Sequence, residues 1–374
     1  MSPDFDALSL EQLQRRRSVK WRHHPADVLP AWVAELDVPL ADPVRAVLLR
    51  AVEDADTGYA APDDLGRAFA GFAARHWGWT VDPGRCWPVP DVIAGIEQAL
   101  TALTSPGDGV VICPPVYPPF FSVLPHTGRL AVQVPLTQDG ALDLDGIDRA
   151  LAGGAHAVLL CSPHNPTGRV WSAAELDALD EVVRAHGAVV LSDEIHAPLA
   201  LPGAQFTPHL AAGERPAVAV ASGSKAFNLA GLKAALVVAG DEQVQARLAA
   251  LPAQVAFRPG HLGVLAGIAA YEEGDAWLAA LVTHLDRNRA LLDELLRTHL
   301  PQVTWTPPQA SYLGWLDCRR FGRSPAQTFL ERGRVALSEG TDYGEQGTGF
   351  ARLNFGTTGP LVQEAVRRMA ASVS

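Results

Sequence analysis

The chain has 374 residues, 48% hydrophobic and 19% charged, with a formal net charge of -11. Such a length and composition predict a globular protein of more than one domain with a large core, and exclude a disordered or coiled-coil chain. The negative balance argues against nucleic acid as a partner, and no segment reaches the roughly 20 apolar residues of a membrane span.

The opening M-S-P-D-F-D-A-L-S-L has no apolar core of signal-peptide length, and Arg15-Arg16-Arg17 is followed by polar residues, so the sequence reads as a soluble cytoplasmic protein. Up to about Asp42, prolines and W-V-A-E-L-D predict an extended arm that packs on something else. From about Val92 to Gly240, short apolar runs alternate with segments of 3.6-residue period, the pattern of crossover units around a mostly parallel sheet and hence of an α/β fold. V-P-D-V-I-A-G-I-E-Q-A-L opens an amphipathic helix at Val92 and Ile93. G-V-V-I-C is a buried strand ending at Cys113, and the P-P-V-Y-P-P loop after it presents Tyr117.

Three more strands end near Ser162, Ser192 and Ser224. Between the first two, Ser172 and Glu175 have capping-box spacing and Gly187 marks a helix stop. After Gly240 the texture becomes helical, notably from Asp275 to Leu296, so a second domain is expected to begin near there. Residues 303–317 alternate like strand, and R-R-F-G-R-S-P-A-Q-T-F-L-E-R-G returns to helix. Cys86, Cys113, Cys161 and Cys318 have neither zinc nor disulfide spacing, and no strand is followed by a dinucleotide-binding G-x-G-x-x-G.

In parallel α/β sheets ligands bind beyond the carboxyl ends of the strands. Those ends carry Tyr117, then Asn165 in P-H-N-P-T-G, Asp193 and His196 in D-E-I-H, and Lys225 in S-G-S-K. Singly, each has an ordinary reading: a turn asparagine, a helix-capping Asp193 or Glu194, a core histidine, a packing tyrosine, a solvated lysine. The chain has only three lysines, however, and a primary amine that must lose its proton and attack a carbonyl has to be lysine. Pyridoxal phosphate supplies that carbonyl and makes one site of the set. Lys225 would take its aldehyde, Asp193 would keep its ring nitrogen protonated, Asn165 assisted by His196 would bond its phenolate oxygen, and Tyr117 would stack on its face. Its phosphate would sit at the helix N-terminus at Val92 and Ile93 with the Ser222 and Ser224 hydroxyls.

The order Asn165, Asp193, Lys225, Arg352 resembles the fold-type I aminotransferases of class I/II. L-P-A-W-V-A-E-L-D-V, P-P-V-Y-P-P-F, S-P-H-N-P-T-G-R-V-W, S-D-E-I-H and S-K-A-F-N-L-A-G-L resemble the MalY/PatB-type carbon-sulfur β-lyases, usually called cystathionine β-lyases. The resemblance implies an arm with part of a small domain over residues 1–41, a large cofactor-binding domain over 42–260 and a small domain over 261–374. It implies that Arg352 binds the substrate α-carboxylate, with Asn165 and backbone groups near Ala34 beside it. It also implies a homodimer acting on a small amino acid, in which Tyr59 reaches the neighbouring subunit's phosphate. Lys233 stands where many aminotransferases place a phosphate-binding arginine, and reads equally as a retained cation or an exposed lysine. Glu35 and Val38 replace an aspartate and an aromatic residue frequent in the family. Both β-elimination of a thiol from cystathionine or a related cysteine S-conjugate and transamination are compatible with these residues. A regulatory protein that binds the cofactor and a partner is a third reading.

Overall fold

The computed structural model describes residues 3–61 and 63–373. Its strands are β1 (Leu29–Pro30), β2 (Cys86–Val89), β3 (Gly109–Ile112), β4 (Leu130–Gln133), β5 (Ala155–Cys161), β6 (Val189–Asp193), β7 (Ala217–Ala221), β8 (Ala235–Ala239), β9 (Thr304–Trp305), β10 (Leu313–Asp317), β11 (Val335–Ala336), β12 (Ser338–Glu339) and β13 (Phe350–Asn354). A seven-stranded sheet runs in the order β2-β8-β7-β6-β5-β3-β4. From β7 to β4 all pairings are parallel, and β8 and β2 close one edge antiparallel.

Strands covered by helices on both faces need apolar residues on both faces, which is why β7 and β8 read as unbroken small and aliphatic runs and β6 is aliphatic up to Ser192 and Asp193 at its tip. Val110, Leu159, Leu191 and Val218 face one core layer, while Val111, Leu160, Val190 and Ala219 face the other. The first layer includes the helix Val92–Leu103, which lies against the sheet at Gly95. A Cβ there would stand 2.9 Å from Val220 Cγ1, so only glycine lets the start of this helix approach the strand ends. The helix Ala173–Ala185 has both bonds of its Ser172/Glu175 capping box, and Gly187 follows it at φ +62°.

A second sheet, order β12-β13-β10-β9, is antiparallel. The strand expected over 303–317 is interrupted: Pro307 and Pro308 lack ladder donors and Ser311 takes φ +72°, leaving two strands, β9 and β10. The helix Asp275–His299 buries Leu278, Leu281, Leu285, Leu292 and Leu296. The segment before Asp42 differs from a simple extended arm. It contains short helices at Leu10–Gln14 and Val19–Arg22, and its β1 pairs parallel with β11 of the same chain. No helix among the described residues is long and apolar enough to cross a membrane.

Candidate active site

The carboxyl ends of β5, β6 and β7 and the loop after β3 converge on a cavity of about 440 Å³ whose wall includes Tyr117, Asn165, Asp193, His196 and Lys225. The helix N-terminus at Val92 and Ile93 forms another side, and Val33, Ala34 and Arg352 bring in the arm and the second sheet. These side chains come from positions up to 320 residues apart, Arg352 bonding the Trp32 carbonyl.

Lys225 lies between the half-buried Ser224 and the buried Ala226, and its Nζ donates to the Ala34 carbonyl at 2.9 Å. Burial lowers its pKa to about 8, helped by the positive charge of Arg352 and opposed by Glu35 and Asp193. An amine near 8 is far readier to exist uncharged near neutral pH than one at lysine's ordinary 10.5. Asp193 is moved the other way, up to about 7, by burial, with the Ile195 N–H at 3.1 Å and the charge of Lys225 pulling back. Its neighbour Glu194 accepts from Ser192 Oγ at 3.0 Å and His209 N at 2.8 Å and does not line the cavity, so of this adjacent pair Asp193 is the carboxylate presented there.

Arg352 donates to Asn165 Oδ1 at 3.0 Å, Trp32 O at 2.8 Å and Ser338 Oγ at 3.2 Å, above the Tyr343 ring at 5.2 Å. Its Nε is buried without a partner, so the guanidinium retains an unmet donor facing an anion's needs. His196 is held near Ser311 Oγ at 2.9 Å, and burial pushes it down to about 3, which keeps it neutral. Tyr117 lies edge-on to Phe120, its phenol raised by burial.

Ser222, Lys233 and Tyr59 each make contacts of their own. Ser222 lines the cavity, but its hydroxyl donates to Ala234 O at 2.7 Å and accepts from Ser224 N at 3.1 Å. That bond latches its own loop, and Ser224 stands half-buried on the wall beside it. Lys233 also reaches the wall, yet it is paired at 3.0 Å with Asp91, the residue capping the helix at Ala94 N. Tyr59 does not line this chain's cavity; it is 85% exposed against the Phe257 ring. Glu35 and Val38 are likewise absent from the wall, Val38 being buried in the core.

Sequence reasoning missed the residues that hold the arm. Asn354 Nδ2 donates to the Val33 and Glu35 carbonyls at 2.7 Å, Tyr312 OH to Ala34 O at 3.0 Å, and Asn228, at φ +58°, exchanges two 3.0 Å bonds with the Leu36 backbone. Only Asn228, a polar residue between Phe227 and Leu229 in the lysine motif, left a local signal.

A buried carboxylate without a cationic hydrogen-bond partner, a depressed amine, an arginine with an unmet donor and a helix N-terminus on the cavity wall suit an anionic cofactor with a protonated ring and an amino-acid substrate. The parallel sheet with its lysine-bearing strand end is the fold-type I arrangement of pyridoxal phosphate enzymes. The model of the family "Aminotransferase class I and II" matches residues 42–369, and the chain belongs to that family. It is 44% identical, over 98% of either chain, to a Mycobacterium leprae protein named "Putative cystathionine beta-lyase". It is 36% identical to "Cystathionine beta-lyase PatB" of Bacillus subtilis, covering 96% of this chain and 97% of that one. Among solved structures, a Corynebacterium diphtheriae protein described as a "putative plp-dependent beta-cystathionase" superimposes with a TM-score of 0.94 at 34% identity, covering 99% of both chains.

Proposed function

We propose that this chain is a pyridoxal phosphate-dependent carbon-sulfur β-lyase, cleaving cystathionine or a related cysteine S-conjugate with water to a free thiol, pyruvate and ammonia. The observation that carries the reading is that one cavity holds both Lys225, lowered to about 8, and the buried Asp193, whose hydrogen bond comes from the Ile195 N–H and not from a cation. Relatives named as cystathionine β-lyases match nearly its full length.

When bound, pyridoxal phosphate supplies the aldehyde that takes up amines and a ring that accepts the electron pair left when Cα loses its proton. Lys225 would hold the cofactor, and once displaced by the substrate amine its own amine takes the Cα proton. Asp193 would bond the ring N–H; that cation beside it would hold the carboxylate ionised, and the resulting charge pair would keep the ring electron-poor. Asn165, its Oδ1 engaged by Arg352, has Nδ2 to give to the phenolate oxygen. Tyr117 would cover the ring face, and the helix N-terminus at Val92 and Ile93 with Ser222 and Ser224 would hold the phosphate. Arg352 binds the α-carboxylate through its free Nε–H and an adjacent NH2, which fixes the Cα–H bond relative to Lys225.

Mixing the holoenzyme with cystathionine should release thiol and pyruvate together without an added keto acid. Keto acid formed only with an acceptor, and no thiol, would replace elimination by transamination. Arg352→Lys keeps the charge and loses the planar fork, so KM for the amino acid should rise about 10- to 100-fold with a smaller change in kcat. An unchanged KM in steady-state kinetics would remove Arg352 from carboxylate binding.

This reading also expects a cytoplasmic homodimer. Leu49, Val52, Tyr59 and Phe257 expose apolar surface, which a second copy would cover while bringing Tyr59 to its phosphate site. Sedimentation at micromolar concentration should give a dimer.

A further inference from the structure

Lys20, the third lysine of the chain, takes no part in the chemistry above and lies outside the cavity wall. Lys20 and Asp37 are each only 1% exposed, and Lys20 Nζ reaches Asp37 Oδ2 at 2.6 Å and the Glu35 carbonyl at 3.0 Å. Trp21 Nε1 donates to the other carboxylate oxygen at 2.8 Å, and Asp37 N donates to Gly356 O at 2.9 Å. Arg16 spans the same stretch from outside, bonding the carbonyls of Leu36 at 3.0 Å and Val38 at 2.8 Å.

A buried ion pair is a poor explanation of stability, because desolvation offsets most of its attraction and apolar residues of like volume often serve as well. What a fully bonded buried pair adds is a single geometry, since a shift separates the buried Lys20 from Asp37, and Arg16 Nη1, 3.8 Å from Asp37 Oδ1, backs the pair from the more exposed side. The segment held to one geometry here is the arm. Immediately before Glu35, the Ala34 carbonyl accepts from Lys225, and two residues earlier the Trp32 carbonyl accepts from Arg352. The Val33 and Glu35 carbonyls between and beside them are taken by Asn354, two residues after Arg352. The arm thus connects the amine to the guanidinium, and the pair fixes its far end.

We propose that Lys20 and Asp37 are positioning residues: their buried ion pair sets the register of residues 32–36, so that the Ala34 and Trp32 carbonyls meet Lys225 and Arg352. The inference rests on the reading of those two groups as amine and carboxylate site. A slack arm would let Lys225 and Arg352 drift together, which weakens substrate binding more than the chemistry that follows it.

Hydrogen exchange on the full-length holoenzyme is the first test. The Leu36 and Asp37 amides should exchange as slowly as those of β6; exchange at the rate of an exposed loop overturns the proposal. Two variants follow, Asp37→Asn, which removes the charge at constant shape, and Lys20→Met with Asp37→Asn, which removes both charges. Either should speed exchange over residues 31–38 and raise KM for cystathionine, each about tenfold, with kcat within about threefold of wild type. Wild-type exchange and KM with only a lowered Tm would make the pair a core contact and refute positioning. Failure of the unmodified enzyme to release thiol would instead overturn the functional reading, while the exchange rates still decide whether the pair fixes the arm.

Discussion

Lys225→Ala is expected to lower thiol release from cystathionine by about 10⁴-fold or more, the upper range for loss of a group that acts as acid and base. No other amine can replace it. Lys20 is buried against Asp37, and Lys233 is more than half exposed at the cavity mouth against Asp91. The variant should nevertheless fold, because Tyr312 OH still donates to the Ala34 carbonyl that Lys225 leaves. The sign of the stability change follows from the lowered pKa. Burying the ammonium is a cost that is complete below about pH 8 and is relieved as pH rises toward lysine's ordinary 10.5. The cofactor-free alanine variant should therefore melt no lower than wild type at pH 7. A variant that keeps a tenth of wild-type turnover would remove Lys225 from the reaction; one that loses activity with its fold would show as a lowered Tm.

Asp193→Asn has the second largest expected effect, a loss of kcat on the order of 10²- to 10³-fold, comparable to removing one preorganised electrostatic group. The amide keeps the shape and can still meet the Ile195 N–H, but it cannot balance a protonated ring. Asp193 is lifted from its ordinary 3.8 to about 7, so the folded state favours its protonated form. In the cofactor-free protein that contribution is present below about pH 4 and is lost as pH rises through 7. The asparagine variant should gain stability relative to wild type across that interval, an opposite trend to its loss of activity. Parallel melting curves at pH 5 and pH 8 with kinetics at pH 8 would test both. Unchanged kcat, or a stability difference independent of pH, would mean that Asp193 is not the buried carboxylate this site requires.

The strand-end residues are legible because a parallel sheet writes its strands as apolar runs and puts its ligand groups just after them. Tyr117, Asn165, Asp193 and Lys225 each follow such a run, and they meet in one cavity. The helix after Ser172 is equally plain, since its capping box and Gly187 are local chemistry. The short helices Leu10–Gln14 and Val19–Arg22 are not, being too brief to show a period and held by tertiary contact more than by propensity. Nor does any pattern connect Arg352 to Trp32, Asn354 to Val33, or Lys20 to Asp37, because a long-range hydrogen bond leaves no mark on the intervening chain. The bond from Ser222 Oγ to the Ala234 carbonyl is equally unmarked in the motif. The arm therefore looked like an appendage in the sequence and is a wall of the site in the structure.

Because the chain has only three lysines, the central claim reduces to which of them carries the cofactor. Reducing the holoenzyme with borohydride and mapping its peptides should place the phosphopyridoxyl group on Lys225 alone. Finding it on Lys20 or Lys233, or on no lysine, would contradict the account.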